Sequence, residues 1–117
     1  MITIKCIIVD DEPIAREIIE GYVRNINFLE LVAVCEDSLV ALEILENSYI
    51  DLLISDVKMP AINGLELVRS LSSPPLIIFI TAYKSFAMEG FDLGVVDYLL
   101  KPVFHSWAIK LPLFVAG

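Results

Sequence analysis

A chain of 117 residues fits one domain with a single sizeable core. Its residues are 57% hydrophobic, above the usual share for a soluble domain, yet no uninterrupted apolar run reaches the length that crosses a bilayer. The net charge of -8, with eight scattered Lys and Arg, argues against a nucleic-acid footprint, which needs clustered cations.

The start, from Met1 to Cys6, runs straight into Asp10 and Asp11 without a charged leader, a long apolar stretch or a cleavage site, so a cytoplasmic protein with no membrane contact is expected. Cys6 and Cys35 match neither metal-site nor redox spacing and read as two reduced structural thiols. Ile4 to Val9 is a β-rich apolar run that stops at Asp10-Asp11-Glu12-Pro13, where three carboxylates meet a proline suited to the first turn of a helix. Ile14, Ile18, Tyr22, Val23 and Ile26 then recur at helical spacing with charged residues between them, predicting an amphipathic helix on a sheet. Phe28 to Cys35 supplies a second strand. Asp37 or Ser38 can cap a helix running through Asn47, and the run from Leu52 delivers a third strand ending at Asp56.

After the Lys58-Met59-Pro60-Ala61-Ile62-Asn63-Gly64 loop, Leu65 to Leu71 predicts a third helix, closed by Ser72-Ser73-Pro74-Pro75. Leu76 to Ile80 is the clearest buried strand and ends at Thr81. Ser85 to Leu93 predicts a weaker and more mobile helix, because Gly90 inside it costs roughly 1 kcal/mol relative to alanine. Val95 to Leu100 is a fifth strand, followed by Lys101-Pro102. Alternating strands and helices of this kind point to an α/β fold, a flavodoxin-like doubly wound five-stranded parallel sheet in the order 2-1-3-4-5 with helices on both faces.

In such a sheet the carboxyl ends of the strands converge on one edge, which brings together Asp10, Asp11, Asp56, Thr81 and Lys101. Three crowded carboxylates repel one another unless a hard divalent cation sits among them, and Mg2+ prefers such oxygens. A lysine opposite adds a fixed positive charge and a threonine adds a hydroxyl donor. The set is shaped for a phosphoryl group, whose oxygens carry charge in the transition state.

Val9-Asp10-Asp11-Glu12, Asp56-Val57-Lys58-Met59-Pro60 with Asn63-Gly64, Thr81-Ala82, and Asp97-Tyr98-Leu99-Leu100-Lys101-Pro102 resemble the bacterial response-regulator receiver domain, over residues 1 to about 103. Thr81-Ala82-Tyr83 with Phe86-Ala87, Phe91 and Asp97-Tyr98 further resembles receivers that precede LytTR-type DNA-binding domains. The resemblance implies that Asp56 takes a phosphoryl group from a sensor histidine kinase, with Thr81 and Lys101 assisting. It implies Mg2+ held by Asp10, Asp11, Asp56 and the backbone carbonyl of Lys58, the Lys58 side chain then facing outward. Tyr98 matches the family's switch aromatic, coupled to Thr81, and Lys101-Pro102 matches a bond that is cis in the family. Two other readings compete: a pseudo-receiver that binds partners without phosphotransfer, and a phosphatase working through an aspartyl phosphate. The phosphatase places its nucleophile after the first strand with a second aspartate two residues on, a spacing that Asp10-Asp11-Glu12-Pro13 lacks.

Phe104 to Gly117 departs from the family's long closing helix. Pro112 removes a backbone donor and its ring collides with the carbonyl of Ala108, so any fifth helix should stop by Leu111. This predicts an atypical tail at 104–117, with a solvent-facing His105. Exposure of Trp107, Leu113 and Phe114 would favour self-association or exchange of tails between chains.

Overall fold

The computed structural model describes residues 3–103, in which five parallel strands alternate with helices. The elements are β1 (Ile4–Val9), α1 (Pro13–Arg24), β2 (Leu29–Cys35), α2 (Ser38–Asn47), β3 (Leu52–Ser55), α3 (Gly64–Arg69), β4 (Leu76–Thr81), α4 (Ala87–Asp92) and β5 (Asp97–Leu100). A short 3-10 turn at Lys84–Phe86 leads into α4. The strand order is β2-β1-β3-β4-β5, as the alternation of elements predicted. The expectations for Phe104 to Gly117, including the short fifth helix, His105 and the self-associating tail, lie outside the described residues.

The central strands β1, β3 and β4 bury both faces along most of their length, and their alternation divides the core into two layers. Ile7, Val9, Leu53, Ile77 and Phe79 point to the layer completed by Ala41 of α2 and by Leu65, Leu67 and Val68 of α3. Cys6, Ile8, Leu52, Ile54, Ile78 and Ile80 point to the opposite layer, against Ile19 and Val23 of α1. Cys6 and Cys35 are both buried and free. No helix among the described residues is long and apolar enough to cross a membrane.

Four local expectations shift. The apolar stripe of α1 was expected to include Ile14 and Ile18, but these are 72% and 43% exposed, while Ile19 and Val23 are buried. At 100° per residue, the face set by Ile19 and Val23 turns Ile18 to the helix flank and Ile14 to the opposite side. The second and fifth strands begin later than predicted, at Leu29 and Asp97, and the third ends one residue before Asp56. The third helix is shorter: the Leu71 amide bonds the Val68 carbonyl three residues back at 3.1 Å, a tightened closing turn, and the Ser70 hydroxyl donates to the Glu66 carbonyl at 2.7 Å. Its start is fixed by a capping box, Asn63 Oδ1 accepting from the Glu66 amide at 2.8 Å and Glu66 Oε1 from the Asn63 amide at 3.0 Å. Finally, Ser85 to Leu93 is not one helix: the Ala87 amide bonds the Lys84 carbonyl, winding the first turn more tightly than the α-helix that follows.

Candidate functional site

Parallel pairing carries the ends of β1, β3, β4 and β5 to one edge of the sheet. The Asp56 amide donates to the Val9 carbonyl at 2.9 Å, and the Lys101 amide to the Thr81 carbonyl at 2.8 Å. These two bonds extend the ladders by one residue past the strands and place the side chains of Asp56 and Lys101 beside Asp10. The β3–α3 loop is held close by Gly64, where a Cβ would lie 2.4 Å from the Asp56 carbonyl oxygen.

Asp10, Asp11 and Asp56 present carboxylate oxygens that all lie within 4.8 Å of one another. Asp10 and Asp56 are buried and Asp11 is exposed. The Lys101 ammonium sits among them, 2.9 Å from Asp56 Oδ2, 3.0 Å from Asp10 Oδ2 and 3.4 Å from Glu12 Oε1. The remaining oxygens are partly claimed by the backbone. Asp56 Oδ1 accepts from the Val57 amide at 2.6 Å and Asp10 Oδ1 from the Glu12 amide at 2.9 Å. Asp10 Oδ2 is buried and accepts no hydrogen bond; its 3.0 Å approach to Lys101 is an ion pair without hydrogen-bond alignment, the Lys101 ammonium donating instead to Asp10 Oδ1 at 3.3 Å.

Burial pushes the Asp10 carboxyl above its ordinary pKa, and the charge of Asp56 adds to this, while the Glu12 amide and Lys101 oppose it. For Lys101 burial acts downward, but hydrogen bonds to Asp56 and Asp10 outweigh it, so the ammonium is held more firmly than a free lysine's. The site therefore keeps a fixed cation against buried carboxylates, one of which resists ionisation.

The sequence-predicted residues are all found at this edge. Thr81 is buried, with its hydroxyl oxygen accepting from the Tyr83 amide at 3.4 Å. Tyr98 packs edge-on against Phe79, lies 6.3 Å from the Phe91 ring, and donates its hydroxyl hydrogen to the Tyr83 carbonyl. The Lys101-Pro102 bond is cis. Lys58 is exposed, and its ammonium lies 4.8 Å from the centroid of the Tyr83 ring.

Two contributors were not singled out from the sequence. Arg16 Nη1 donates to the Asp10 carbonyl at 2.8 Å, tying the β1–α1 loop to the helix. A basic residue in the first turns of a helix opposes the helix dipole, and that is the signal that Arg16 needed an outside acceptor. Tyr83, quoted from the sequence only within the subgroup resemblance and given no role there, joins the amide, carbonyl and ring contacts just described. Asp11, Glu12, Asp56, Lys58, Tyr83 and Lys101 line one open cleft of about 520 Å³. Such a cleft can hold a hard cation and a small anion side by side.

A family model described as the response regulator receiver domain matches residues 6–109. An uncharacterized response regulatory protein of Yersinia pestis is 40% identical over 109 residues, covering 92% of this chain and 46% of the relative. The transcriptional regulatory protein BtsR of Escherichia coli is 37% identical over 102 residues, covering 86% of this chain and 43% of the relative. Among solved structures, the response regulatory domain of protein mrkE from Klebsiella pneumoniae superposes with a TM-score of 0.88 at 31% identity, covering 97% of this chain and 95% of that one. The receiver domain of AraT from Geobacillus stearothermophilus gives 0.82 at 35% identity, covering 97% and 93%. The chain spans less than half the length of the curated relatives it matches. With its parallel sheet, its acidic edge and these likenesses together, the chain belongs to the response regulator receiver domain family.

Proposed function

We propose that Asp56 is a phosphoacceptor, taking a phosphoryl group from the phosphohistidine of a sensor histidine kinase within a longer regulatory protein. The observation that carries the reading is the Lys101 ammonium 2.9 Å from Asp56 Oδ2 at the mouth of the cleft. One Asp56 oxygen attacks phosphorus, the P–N bond breaks, and its electron pair leaves with the imidazole, which takes up a proton. Lys101 is placed to neutralise charge on the transferring oxygens, and the buried Thr81 hydroxyl can donate to one of them once it leaves the Tyr83 amide.

The donor set fits a hard divalent cation. All three side chains offer carboxylate oxygens, they lie within 4.8 Å of one another, and buried Asp10 Oδ2 lacks a hydrogen-bond donor. Asp10, Asp11, Asp56 and the Lys58 carbonyl would hold Mg2+, which when bound neutralises phosphoryl oxygens. Thr81 and Tyr98 form the switch: drawing the Thr81 hydroxyl to the phosphoryl group frees the Tyr83 amide and weakens the hold on Tyr98. We place the protein in the cytoplasm and, because BtsR is named a transcriptional regulatory protein, assign the receiver to a transcription regulator; the resemblance carried by Thr81-Ala82-Tyr83, Phe86-Ala87, Phe91 and Asp97-Tyr98 supports the LytTR-associated subgroup.

The test is incubation with acetyl phosphate and Mg2+ followed by intact-mass measurement. The parent chain should gain one phosphoryl group, and Asp56→Asn, which removes the nucleophile without opening the core, should gain none. A folded parent that stays unmodified with both the small donor and a phosphorylated kinase is instead a partner-binding module.

A further inference from the structure

We propose that Ser38, the first residue of α2, is a positioning residue for the metal site, acting through the Pro60 carbonyl of the β3–α3 loop. The inference rests on the reading of Asp56 as a Mg2+-dependent phosphoacceptor. The carboxyl end of β2 supplies none of the residues assigned to that chemistry, yet the junction after it is tied to the loops that do. On one side Arg16 Nη2, from the helix after β1, stands 3.8 Å from Glu36 Oε2. On the other the Ser38 hydroxyl donates to the Pro60 carbonyl at 3.1 Å. Ser38 is 1% exposed, so water cannot stand in for that partner. Among the described residues this is the one hydrogen bond made to the backbone from Lys58 to Ala61.

A hydroxyl on Pro60 reaches the site because the chain between them is stiff. The Lys58 carbonyl, the backbone oxygen in the proposed Mg2+ set, is separated from the Pro60 carbonyl by Met59 and Pro60 alone. Proline fixes its own φ and confines the residue before it to extended backbone, so holding one carbonyl orients the other. Beyond Pro60 the loop is strained: Ala61 sits at φ 69, a left-handed conformation that an L-residue leaves when nothing holds it. The Met59 side chain is buried in the core, but a flexible thioether chain fixes where the loop lies rather than how its peptides turn. Ser38 fixes the turn. Without its hydroxyl Ala61 relaxes toward negative φ and the Lys58 carbonyl loses its orientation, while Asp10, Asp11 and Asp56 keep their places at the ends of β1 and β3.

Two uncharged substitutions in α2 separate positioning from plain support of the helix. Ser38→Ala removes the hydroxyl, whereas Ala41→Gly weakens the helix one turn on and leaves the bond to Pro60 in place. Mg2+ is titrated into each folded chain by calorimetry, well below the melting temperatures, and the Mg2+ dependence of labelling by acetyl phosphate is followed in parallel. Ser38→Ala should weaken Mg2+ binding about three- to tenfold. That is less than the roughly ten- to hundredfold typical of a group that orients a metal ligand, because water can replace one carbonyl on Mg2+. The Mg2+ half-saturation of labelling should rise by the same factor, with the rate at saturating Mg2+ within about twofold of the parent. Ala41→Gly should melt lower yet bind Mg2+ like the parent. Ala61→Gly makes positive φ free of strain, so in that background Ser38→Ala should weaken binding less than about twofold. A Ser38→Ala chain that binds Mg2+ like the parent, an effect that Ala41→Gly reproduces, or one equally large beside Ala61→Gly overturns the inference alone. A parent that neither binds Mg2+ nor takes a phosphoryl group from acetyl phosphate or a phosphorylated kinase overturns the Asp56 reading and this inference with it.

Discussion

Cys6 and Asp10 stand near opposite ends of β1 and its exit, and burial acts on both by disfavouring the charged form. Asp10 has Lys101 to answer for its charge, whereas Cys6 has only apolar neighbours and the distant repulsion of Glu30, so its thiol is pushed up from 9.0 to about 11. The folded state then keeps its proton where the unfolded chain has lost it. The stabilisation from the neutral thiol is complete below about pH 9 and is lost as pH rises from there through about 11. We expect a fall of about 2 to 3 kcal/mol across that window, from 1.36 kcal/mol per unit. Denaturant unfolding of the parent and of Cys6→Ala checks it, since the variant should show a shallower alkaline decline. Equal slopes would mean that Cys6 is not shielded as its complete burial indicates.

At the scale of elements, the β3–α3 loop sets the site and contains two opposed backbone features. Gly64 allows the turn of α3 to press on the strand end: a Cβ there would meet the Asp56 carbonyl oxygen at 2.4 Å and Phe79 Cε1 at 2.9 Å. Neither can move cheaply, so Gly64→Ala should destabilise by about 2 to 3 kcal/mol and lower phosphoryl uptake by displacing Asp56. Denaturation together with acetyl phosphate labelling tests both halves. Ala61 is the reverse case, an L-residue at φ 69, in the left-handed region that costs roughly 1 kcal/mol or more. Ala61→Gly should relieve that strain and raise stability by about 0.5 kcal/mol after the added backbone entropy, a gain that the same unfolding measurement reads. Neither feature was visible in the sequence beyond the Asn63-Gly64 pair itself. The strands were legible because apolar runs such as Leu76 to Ile80 are stopped by chemically distinct residues. The helices were less so: Ile14, Ile18 and Ile19 all lie within two turns of α1, and which of them is buried depends on where the sheet meets the helix. Gly90 flagged α4 as weak, but the tight turn before it follows from the hydrogen bond closed between Lys84 and Ala87.

For the molecule as a whole, strand order does what no local segment can. Asp10, Asp56, Thr81 and Lys101 are up to 91 residues apart and meet only because every strand runs the same way and β1 lies beside β3. That convergence was legible, since each residue ends an apolar run, whereas the Lys58–Tyr83 contact was not, because it forms between two loops whose approach only the assembled sheet fixes. The same convergence gathers negative charge in a chain already at -8, so the acidic edge opposes folding until a cation answers it. Asp11 is the exposed member of the trio, and removing it leaves the buried pair with Lys101 intact. Without divalent ions, Asp11→Ala should therefore melt slightly above the parent, by the equivalent of about 0.5 kcal/mol of relieved repulsion. With Mg2+ the order should reverse. The parent gains stability by mass action, about 2.7 kcal/mol when the free ion stands at a hundred times its dissociation constant, while the variant gains far less. Melting curves of both chains across a Mg2+ titration should cross; parallel curves, or a parent indifferent to Mg2+, would remove the metal from the acidic edge.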